Sequence, residues 1–133
     1  MKINSEAEML EFGQAMAKKL TLPAVIELIG DVGAGKTTFT RGLAQGLGIS
    51  EPVTSPSFTI SKRYNFPGGE LVHYDFYRLE DPGLMSEELS ETLLDPHTIT
   101  VVEWAGGVTN LFPENTQHIQ ISLNDDGSRT ISL

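Results

Sequence analysis

The residues best suited to chemistry lie in the segment Gly30–Thr37, whose sequence GDVGAGKT matches the pattern G-x-x-x-x-G-K-[ST] in full. Its glycines allow backbone conformations that turn several amide groups toward a phosphate, and a helix that follows adds the partial positive charge of its N-terminus. Lys36 would bring a cation to the β- and γ-phosphates, and the Thr37 hydroxyl could coordinate a magnesium ion. The segment therefore predicts a phosphate-binding loop for a nucleoside triphosphate.

Two acidic residues stand at the ends of short apolar runs that are typical of strands. Asp75 follows the run 71–74, and Glu103 follows the run 99–102. Because open α/β sheets bind ligands beyond the carboxyl ends of their strands, we expect both carboxylates near the phosphates. The run before Glu103 is more apolar than the run before Asp75, so Glu103 is assigned to the magnesium ion. Asp75 is assigned to positioning of the attacking water or to a second magnesium contact. The alternative for either residue is that it caps a turn.

Other polar and aromatic residues have a structural and a functional interpretation. The hydroxyl-rich segment 54–59 lies where many P-loop proteins have a phosphate-sensing switch, and it is equally consistent with a polar turn. Arg78 could neutralise charge on a transferred phosphate or form an ion pair, and Trp104 could stack on a base or pack against the protein. The histidines occur in no metal-ligand spacing and are interpreted as structural or solvent-exposed: His73, His97 and His118.

The elements that must position these residues follow from the spacing of apolar side chains. The order is α-β-α-β-β-α-β-β-β, with helices that begin at Ser5, Lys36 and Asp81. Strands are predicted over 24–29, 58–66, 70–79, 98–104, 118–123 and 129–133. We therefore predict an α/β fold, in which residues 1–133 form a single compact P-loop NTPase domain with a mixed, mainly parallel central sheet flanked by helices.

Composition restricts the function further. The 133 residues include 9 Lys and Arg against 18 Asp and Glu, which gives a formal net charge of −9, and they include no Cys. Such a surface offers few cations to displace the counterions of nucleic acid, so strong direct binding to RNA or DNA is not expected. Without cysteine the chain has no disulfide and no thiolate nucleophile. With neither a signal-peptide pattern nor a membrane-spanning apolar run, we expect a cytoplasmic protein.

The motifs of a guanine-specific GTPase are missing. The string N-K-x-D does not occur, and Asp75 is followed by Phe76-Tyr77-Arg78 rather than by the D-x-x-G switch pattern. A small-metabolite kinase is a remaining alternative, although a kinase lid rich in arginine is difficult to build from so few basic residues. A nucleotide-dependent binding module with negligible turnover is the other alternative.

Four segments occur together in an order that resembles the TsaE (YjeE/YdiB) family. These small bacterial P-loop ATPases serve the biosynthesis of threonylcarbamoyladenosine in tRNA. The segments are 30–42, 55–59, 73–79 and 103–104, and the similarity extends from about Asn4 to Arg129. The resemblance implies a P-loop α/β fold, binding of ATP or ADP with Mg²⁺, and slow ATP hydrolysis. It also implies action on a two-protein threonylcarbamoyl-transfer complex that modifies ANN-decoding tRNAs.

The resemblance also implies roles for individual residues. The phosphates would be held by the loop and first helical turn, namely by Gly33, Ala34, Gly35, Lys36, Thr37 and Thr38. Thr37 and Glu103 would hold magnesium, with Asp75 near the γ-phosphate and Lys36, Asp75 and Glu103 as the catalytic residues. Trp104 would lie beside the nucleotide, and Glu6 and Arg129 would lie near its base and ribose. The chain departs from the family in having Ala105-Gly106-Gly107 after Trp104, Ser57 in place of a common threonine, and an end at Leu133 without the tail of many relatives.

Overall fold

The computed structural model describes residues 1–56 and 59–133, and within them seven strands form one sheet. The strands are β1 Lys2–Ile3, β2 Ala24–Ile29, β3 Ser61–Phe66, β4 Gly69–Asp75, β5 Thr98–Glu103, β6 Gln117–Leu123 and β7 Arg129–Ser132. The helices are α1 Glu6–Lys19, α2 Lys36–Gly46 and α3 Ser86–Leu94, with 3₁₀ turns at Pro82–Met85 and Thr109–Leu111.

The sheet has the strand order β1-β7-β6-β2-β5-β4-β3. Its four central strands, β6, β2, β5 and β4, run parallel, whereas β3 at one edge and β7 and β1 at the other join by antiparallel pairs. The predicted α/β fold with a mixed sheet is therefore confirmed. The parallel strands form the centre of the sheet. Because β2, β5 and β4 run in the same direction, their carboxyl ends lie together on the same side of the molecule.

Apolar residues alternate between two cores on opposite faces of the sheet. Leu71 on β4 belongs to the core that contains the apolar faces of α1 and α2, whereas its neighbour Val72 belongs to the core under α3. Helices α1 and α2 pack very closely, since a Cβ atom on Gly42 of α2 would lie 2.3 Å from the carbonyl oxygen of Leu10. None of the described helices has both the length and the apolar character needed to cross a membrane.

Three predicted boundaries are wrong by more than one residue. The strand predicted over 58–66 begins at Ser61, because Ile60 has a φ angle of 69°, which is incompatible with an extended strand. The strand predicted over 70–79 ends at Asp75, because its Oδ1 accepts a hydrogen bond from the amide of Tyr77 at 3.0 Å and turns the chain out of the sheet. The helix predicted from Asp81 begins with a 3₁₀ turn, and α3 proper starts at Ser86. Strand β1 was not predicted, since a two-residue strand has no periodicity and depends on pairing with β7.

Candidate phosphate-binding site

The glycine-rich loop connects the end of β2 to the start of α2. Gly33 and Gly35 have φ angles of 84° and 110°, in the left-handed region that side chains with a Cβ rarely adopt. Gly35 is the N-cap of α2 and has no side chain that could accept from the first amides of the helix. These amides, which have no acceptor within a helix, are therefore available to an anionic ligand.

Lys36 lies at the base of this loop, with only 6% of its surface exposed. Its Nζ donates to the carbonyl oxygen of Gly30 at 2.6 Å and lies 3.5 Å from Oε1 of Glu103. The same ammonium group lies 4.2 Å from the centroid of the Trp104 ring, a distance at which a cation–π attraction operates. The cation is thus held by three neighbours within the cleft.

The two acidic residues chosen from the sequence lie side by side. Asp75 and Glu103 are register partners at the carboxyl ends of the parallel strands β4 and β5. Asp75 Oδ1 accepts a hydrogen bond from the amide of Tyr77 and therefore caps the turn, as the alternative interpretation stated. Its other oxygen, Oδ2, accepts a hydrogen bond from Ser55 Oγ at 3.3 Å. Glu103 is 3% exposed, and its position beside Lys36 provides the charge compensation that a buried carboxylate requires.

His73 contacts Glu103 from inside the protein. It is fully buried, and its Nε2 lies 2.5 Å from Oε2 of Glu103. The sequence interpretation of His73 as structural or exposed missed this contact, whereas His97 and His118 are exposed as that interpretation allows. The available signal was the spacing of His73 two residues before Asp75, because alternate residues of a strand face the same side of the sheet.

Trp104 adopts an unusual backbone conformation directly after Glu103. Its φ angle is 58°, a left-handed value that is uncommon for a residue with a side chain and that occurs preferentially at functional sites. This conformation directs the indole toward Lys36 and places its centroid 4.8 Å from that of Tyr77. Trp104 therefore forms one wall of the cleft.

The loop, the acids and Trp104 line an open cleft of about 380 Å³. Its walls include Gly33, Gly35, Lys36, Thr37, Thr38, Ser55, Asp75, Tyr77, Arg78, Glu103, Trp104 and Arg129. A smaller cleft of about 290 Å³ adjoins it through shared walls at Gly35, Thr38 and Arg129, and Glu6 lines its far side. The two clefts are continuous, so the glycine loop, Arg129 and Glu6 line one connected surface.

Arg129 supports the loop from the other end of the chain. Its Nε donates to the carbonyl oxygen of Ala34 at 3.2 Å, and its Nη2 donates to that of Gly33 at 3.1 Å. Ala34 is itself buried, so its part in the site is through the backbone. These two hydrogen bonds from Arg129 support the conformation of the loop.

The donor groups of the cleft fit a magnesium ion. A threonine hydroxyl and carboxylates are hard oxygen donors, which magnesium prefers, and Thr37 and Glu103 line the same cleft. No cluster of three or more acidic, histidine or cysteine residues that could hold a metal occurs in residues 1–56 and 59–133. An ion at Thr37 and Glu103 would therefore depend on phosphate oxygens and water, which is the usual condition of magnesium in phosphoryl-transfer sites.

The hydroxyl-rich segment 54–59 is described in part. Ser55 lines the cleft through its hydrogen bond to Asp75, and Thr54 accepts a hydrogen bond from Lys62 Nζ on β3. The predicted switch residues Ser57 and Phe58 lie outside the described residues.

Comparisons with known proteins agree on one family. The family described as "Threonylcarbamoyl adenosine biosynthesis protein TsaE" matches residues 3–131. The chain is 37% identical over 136 aligned positions to the tRNA threonylcarbamoyladenosine biosynthesis protein TsaE of Haemophilus influenzae, covering 98% of this chain and 85% of that protein. It is 43% identical over 110 positions to the protein of the same name from Bacillus subtilis, covering 82% and 68%. A crystal structure of Bacillus subtilis YdiB superposes with a TM-score of 0.82 at 34% identity, covering 98% of this chain and 80% of that one.

Proposed function

This chain belongs to the TsaE family, and from that premise we propose that it is a magnesium-dependent ATPase that assists the threonylcarbamoyladenosine modification of tRNA. The observation that carries the ATPase part is the convergence of Lys36, Asp75 and Glu103 on the cleft that the glycine loop lines. A loop that only bound a nucleotide would not require two buried carboxylates in the same cleft as the cation.

The chain's residues would share the work of phosphoryl transfer. The amides of Gly33–Thr38 hold the phosphate oxygens, and Lys36 exchanges the carbonyl oxygen of Gly30 for an oxygen of the β- or γ-phosphate. Thr37 and Glu103 hold the magnesium ion, which when bound neutralises charge that develops on the phosphates. Such a site works by position and electrostatics, since the transferred phosphoryl group requires little covalent assistance.

Asp75 is the residue we assign to the attacking water. The oxygen of that water forms a bond to the γ-phosphorus while the bond from phosphorus to the bridging oxygen breaks, which releases ADP and inorganic phosphate. One proton of the water remains on the phosphate, and the other passes to solvent. Asp75 is 8% exposed, and its side chain already accepts two hydrogen bonds, from Ser55 and Tyr77. These two donors fix the carboxylate at the rim of the cleft, where it can orient a water molecule.

The smaller cleft is where we place the nucleoside. Glu6 is at the start of α1, and its carboxylate lies 3.9 Å from Arg41 in an exposed pair. Arg129 separates this cleft from the phosphate cleft. A nucleotide that extends from the glycine loop would therefore pass Arg129 before its ribose and base reach Glu6.

We further propose that the protein acts in the cytoplasm on a two-protein threonylcarbamoyl-transfer complex rather than on tRNA directly. The net charge of −9 supports this assignment, because an acidic surface repels the phosphate backbone of RNA but does not hinder docking to a protein. ATP binding and hydrolysis would then change the affinity for that complex, as in other nucleotide-dependent switches.

The test measures phosphate release and the capture of partners by the same purified protein. We expect ATP hydrolysis that is slow for the protein alone and faster with the transfer complex, and that Lys36→Ala abolishes. Lys19→Ala, which removes an equal charge from the exposed end of α1, serves as the matched control and should retain activity. Capture of the two partner proteins by tagged protein should require ATP and Lys36.

Two results would contradict the proposal in different ways. If the wild type releases no more phosphate than Lys36→Ala but still captures its partners in the presence of ATP, the protein is a binding module without turnover. Transfer of label from ATP to a small metabolite instead of to free phosphate would indicate a kinase.

A further inference from the structure

His73 occupies an otherwise apolar layer directly below the two acids. On β4 and β5, the register partners Leu71 and Ile99 form one layer, His73 and Val101 the next, and Asp75 and Glu103 the last. Alternate residues of a strand share a face, so all three layers face the core that contains α2. An aliphatic side chain at position 73 would continue the apolar packing of Leu71. The presence of an imidazole at this position therefore requires an explanation other than packing.

The contacts of the imidazole supply that reason. Its Nε2 lies 2.5 Å from Oε2 of Glu103, while its Nδ1 is buried without a hydrogen-bond partner among the described residues. Because a carboxylate only accepts hydrogen bonds, Nε2 carries the hydrogen and donates it. Burial of a polar ring is costly unless hydrogen bonds compensate it, and among residues 1–56 and 59–133 the ring's one hydrogen-bond partner is Glu103. The histidine therefore serves that carboxylate.

The other oxygen of Glu103 shows what this contact prevents. Oε1 lies 3.5 Å from Nζ of Lys36, which is longer than a close ion pair, and Nζ donates instead to the carbonyl oxygen of Gly30 at 2.6 Å. A carboxylate free to rotate would form a tight pair with Lys36 in this buried site. Such a pair would occupy both the cation that must meet phosphate and the oxygen that must meet magnesium.

We propose that His73 is a positioning residue for the reaction, which holds Glu103 by Oε2 so that Oε1 remains available to the metal ion and Lys36 remains available to phosphate. The inference rests on the proposed function, because it assigns the magnesium contact to Glu103. It adds a buried residue that lines neither cleft and acts through the carboxylate. Such outer residues typically change metal affinity or activity by about 10- to 100-fold when they are replaced.

The sharpest test compares two amides at position 73. In His73→Gln the terminal NH₂ reaches about as far as Nε2 and can donate to Glu103, whereas in His73→Asn it is one methylene shorter and cannot. We expect His73→Asn to raise the Mg²⁺ concentration for half-maximal ATP binding at least about tenfold and His73→Gln to restore most of this loss. In His73→Asn, ADP binding in EDTA should be weakened less than Mg²⁺-dependent ATP binding, because the glycine loop is unchanged and only the contact of Lys36 with phosphate is affected.

Val101→Ala is the control for loss of stability in the same layer. It removes buried volume beside His73 without touching Glu103, so it should lower the melting temperature and leave the Mg²⁺ dependence unchanged. In the wild type, the imidazole Nε2 proton should be visible by NMR and should shift when Mg²⁺ is added to the ADP-bound protein. That measurement does not depend on the folding of any variant.

The outcomes separate this inference from the proposed function. Wild-type protein that does not bind ATP in the presence of magnesium would contradict the proposed function itself. Wild-type binding with an unchanged Mg²⁺ dependence in His73→Asn would contradict only the role of His73. The same conclusion would follow from a folded His73→Gln as defective as His73→Asn, or from an Nε2 proton that does not respond to magnesium.

Discussion

The ammonium group of Lys36 lies 4.2 Å from the centroid of the Trp104 ring and 2.6 Å from the carbonyl oxygen of Gly30. The cation is thus turned toward the protein, in contact with an aromatic face and a backbone carbonyl. A phosphate at the glycine loop would compete for it, because a charge-assisted hydrogen bond to phosphate is stronger than one to a neutral carbonyl. Trp104, the one tryptophan of the chain, should report this exchange.

We predict that the intrinsic fluorescence of the protein changes saturably when ADP or ATP is added. The physical reason is that Lys36 leaves the face of the indole as it moves toward phosphate. The measurement is a titration at an excitation wavelength selective for tryptophan. Lys36→Met, which removes the cation, should alter the starting emission and abolish the nucleotide response. Unchanged emission at a nucleotide concentration shown by calorimetry to saturate the site would contradict the prediction.

We predict that Arg129→Ala weakens ADP binding by about tenfold, which corresponds to the lower end of the roughly 1.5–3 kcal/mol that a hydrogen bond from a charged group contributes, because Arg129 acts on the nucleotide through the loop. The guanidinium engages the carbonyl oxygens of Gly33 and Ala34, so its removal frees the loop to sample other conformations. Arg129→Lys should not restore binding, because one ammonium group cannot reproduce the planar fork.

The matched control for this change is Arg63→Ala. Arg63 is an arginine of β3 that pairs with Glu70 at 2.8 Å, outside the residues that line the two clefts. Calorimetric titration of ADP against Arg129→Ala, Arg129→Lys and Arg63→Ala distinguishes a specific effect on the loop from a general loss of stability. Equal weakening by the changes at Arg63 and Arg129 would show that a general loss of stability is responsible.

We predict that Glu103→Gln and Asp75→Asn separate magnesium binding from hydrolysis. Glu103→Gln should raise the Mg²⁺ requirement and leave magnesium-free ADP binding intact, because the amide coordinates a cation more weakly than a carboxylate. Asp75→Asn should retain the magnesium requirement and slow turnover about 10²-fold, the scale of a lost group that positions or deprotonates a nucleophile. Phosphate release measured across a range of Mg²⁺ concentrations resolves the two effects. The reverse pattern would exchange the two assignments.

We predict a stability contribution from Asp126 that disappears in acid. Hydrogen bonds from the side chain and backbone of Ser128, together with Lys2, lower the pKa of Asp126 from its ordinary 3.8 to about 2. The native state therefore favours the carboxylate, so its contribution is complete above pH 4 and is lost as the pH falls toward 2. Asp126→Asn should be less stable than the wild type at neutral pH, with a difference that shrinks between pH 4 and 2. Denaturant unfolding across that range is the measurement, and a difference that does not change with pH would contradict it.

The parts of the fold that could be predicted from sequence depend on contacts between near neighbours. The N-cap of α1 is an example, since Ser5 Oγ accepts from the amide of Glu8 at 3.1 Å, three residues away. The glycine loop is another, because its conformation follows from the torsional freedom of Gly33 and Gly35. The turn between β3 and β4 likewise lies where Pro67 and Gly68 indicate it.

Other features depend on residues distant in sequence. His73 and Glu103 are 30 positions apart, and Arg129 is 96 positions from Gly33. Strand β1 is two residues long and exists because β7 offers a free edge. The local pattern around His73 indicates which face of the sheet it occupies, but it does not indicate that Glu103 is its partner.

Local sterics and backbone hydrogen bonding over a few residues therefore specify the glycine-rich loop, the helix caps and most of the strands, and these can be recognised in the printed chain. The pairing of β4 with β5 decides that Asp75 stands beside Glu103 and that His73 reaches the same carboxylate from below. The pairing of β6 with β7 decides that Arg129 arrives behind the loop. Strand pairing places these side chains together because it is a cooperative property of the whole sheet, in which the register of one pair determines which side chains meet in the next.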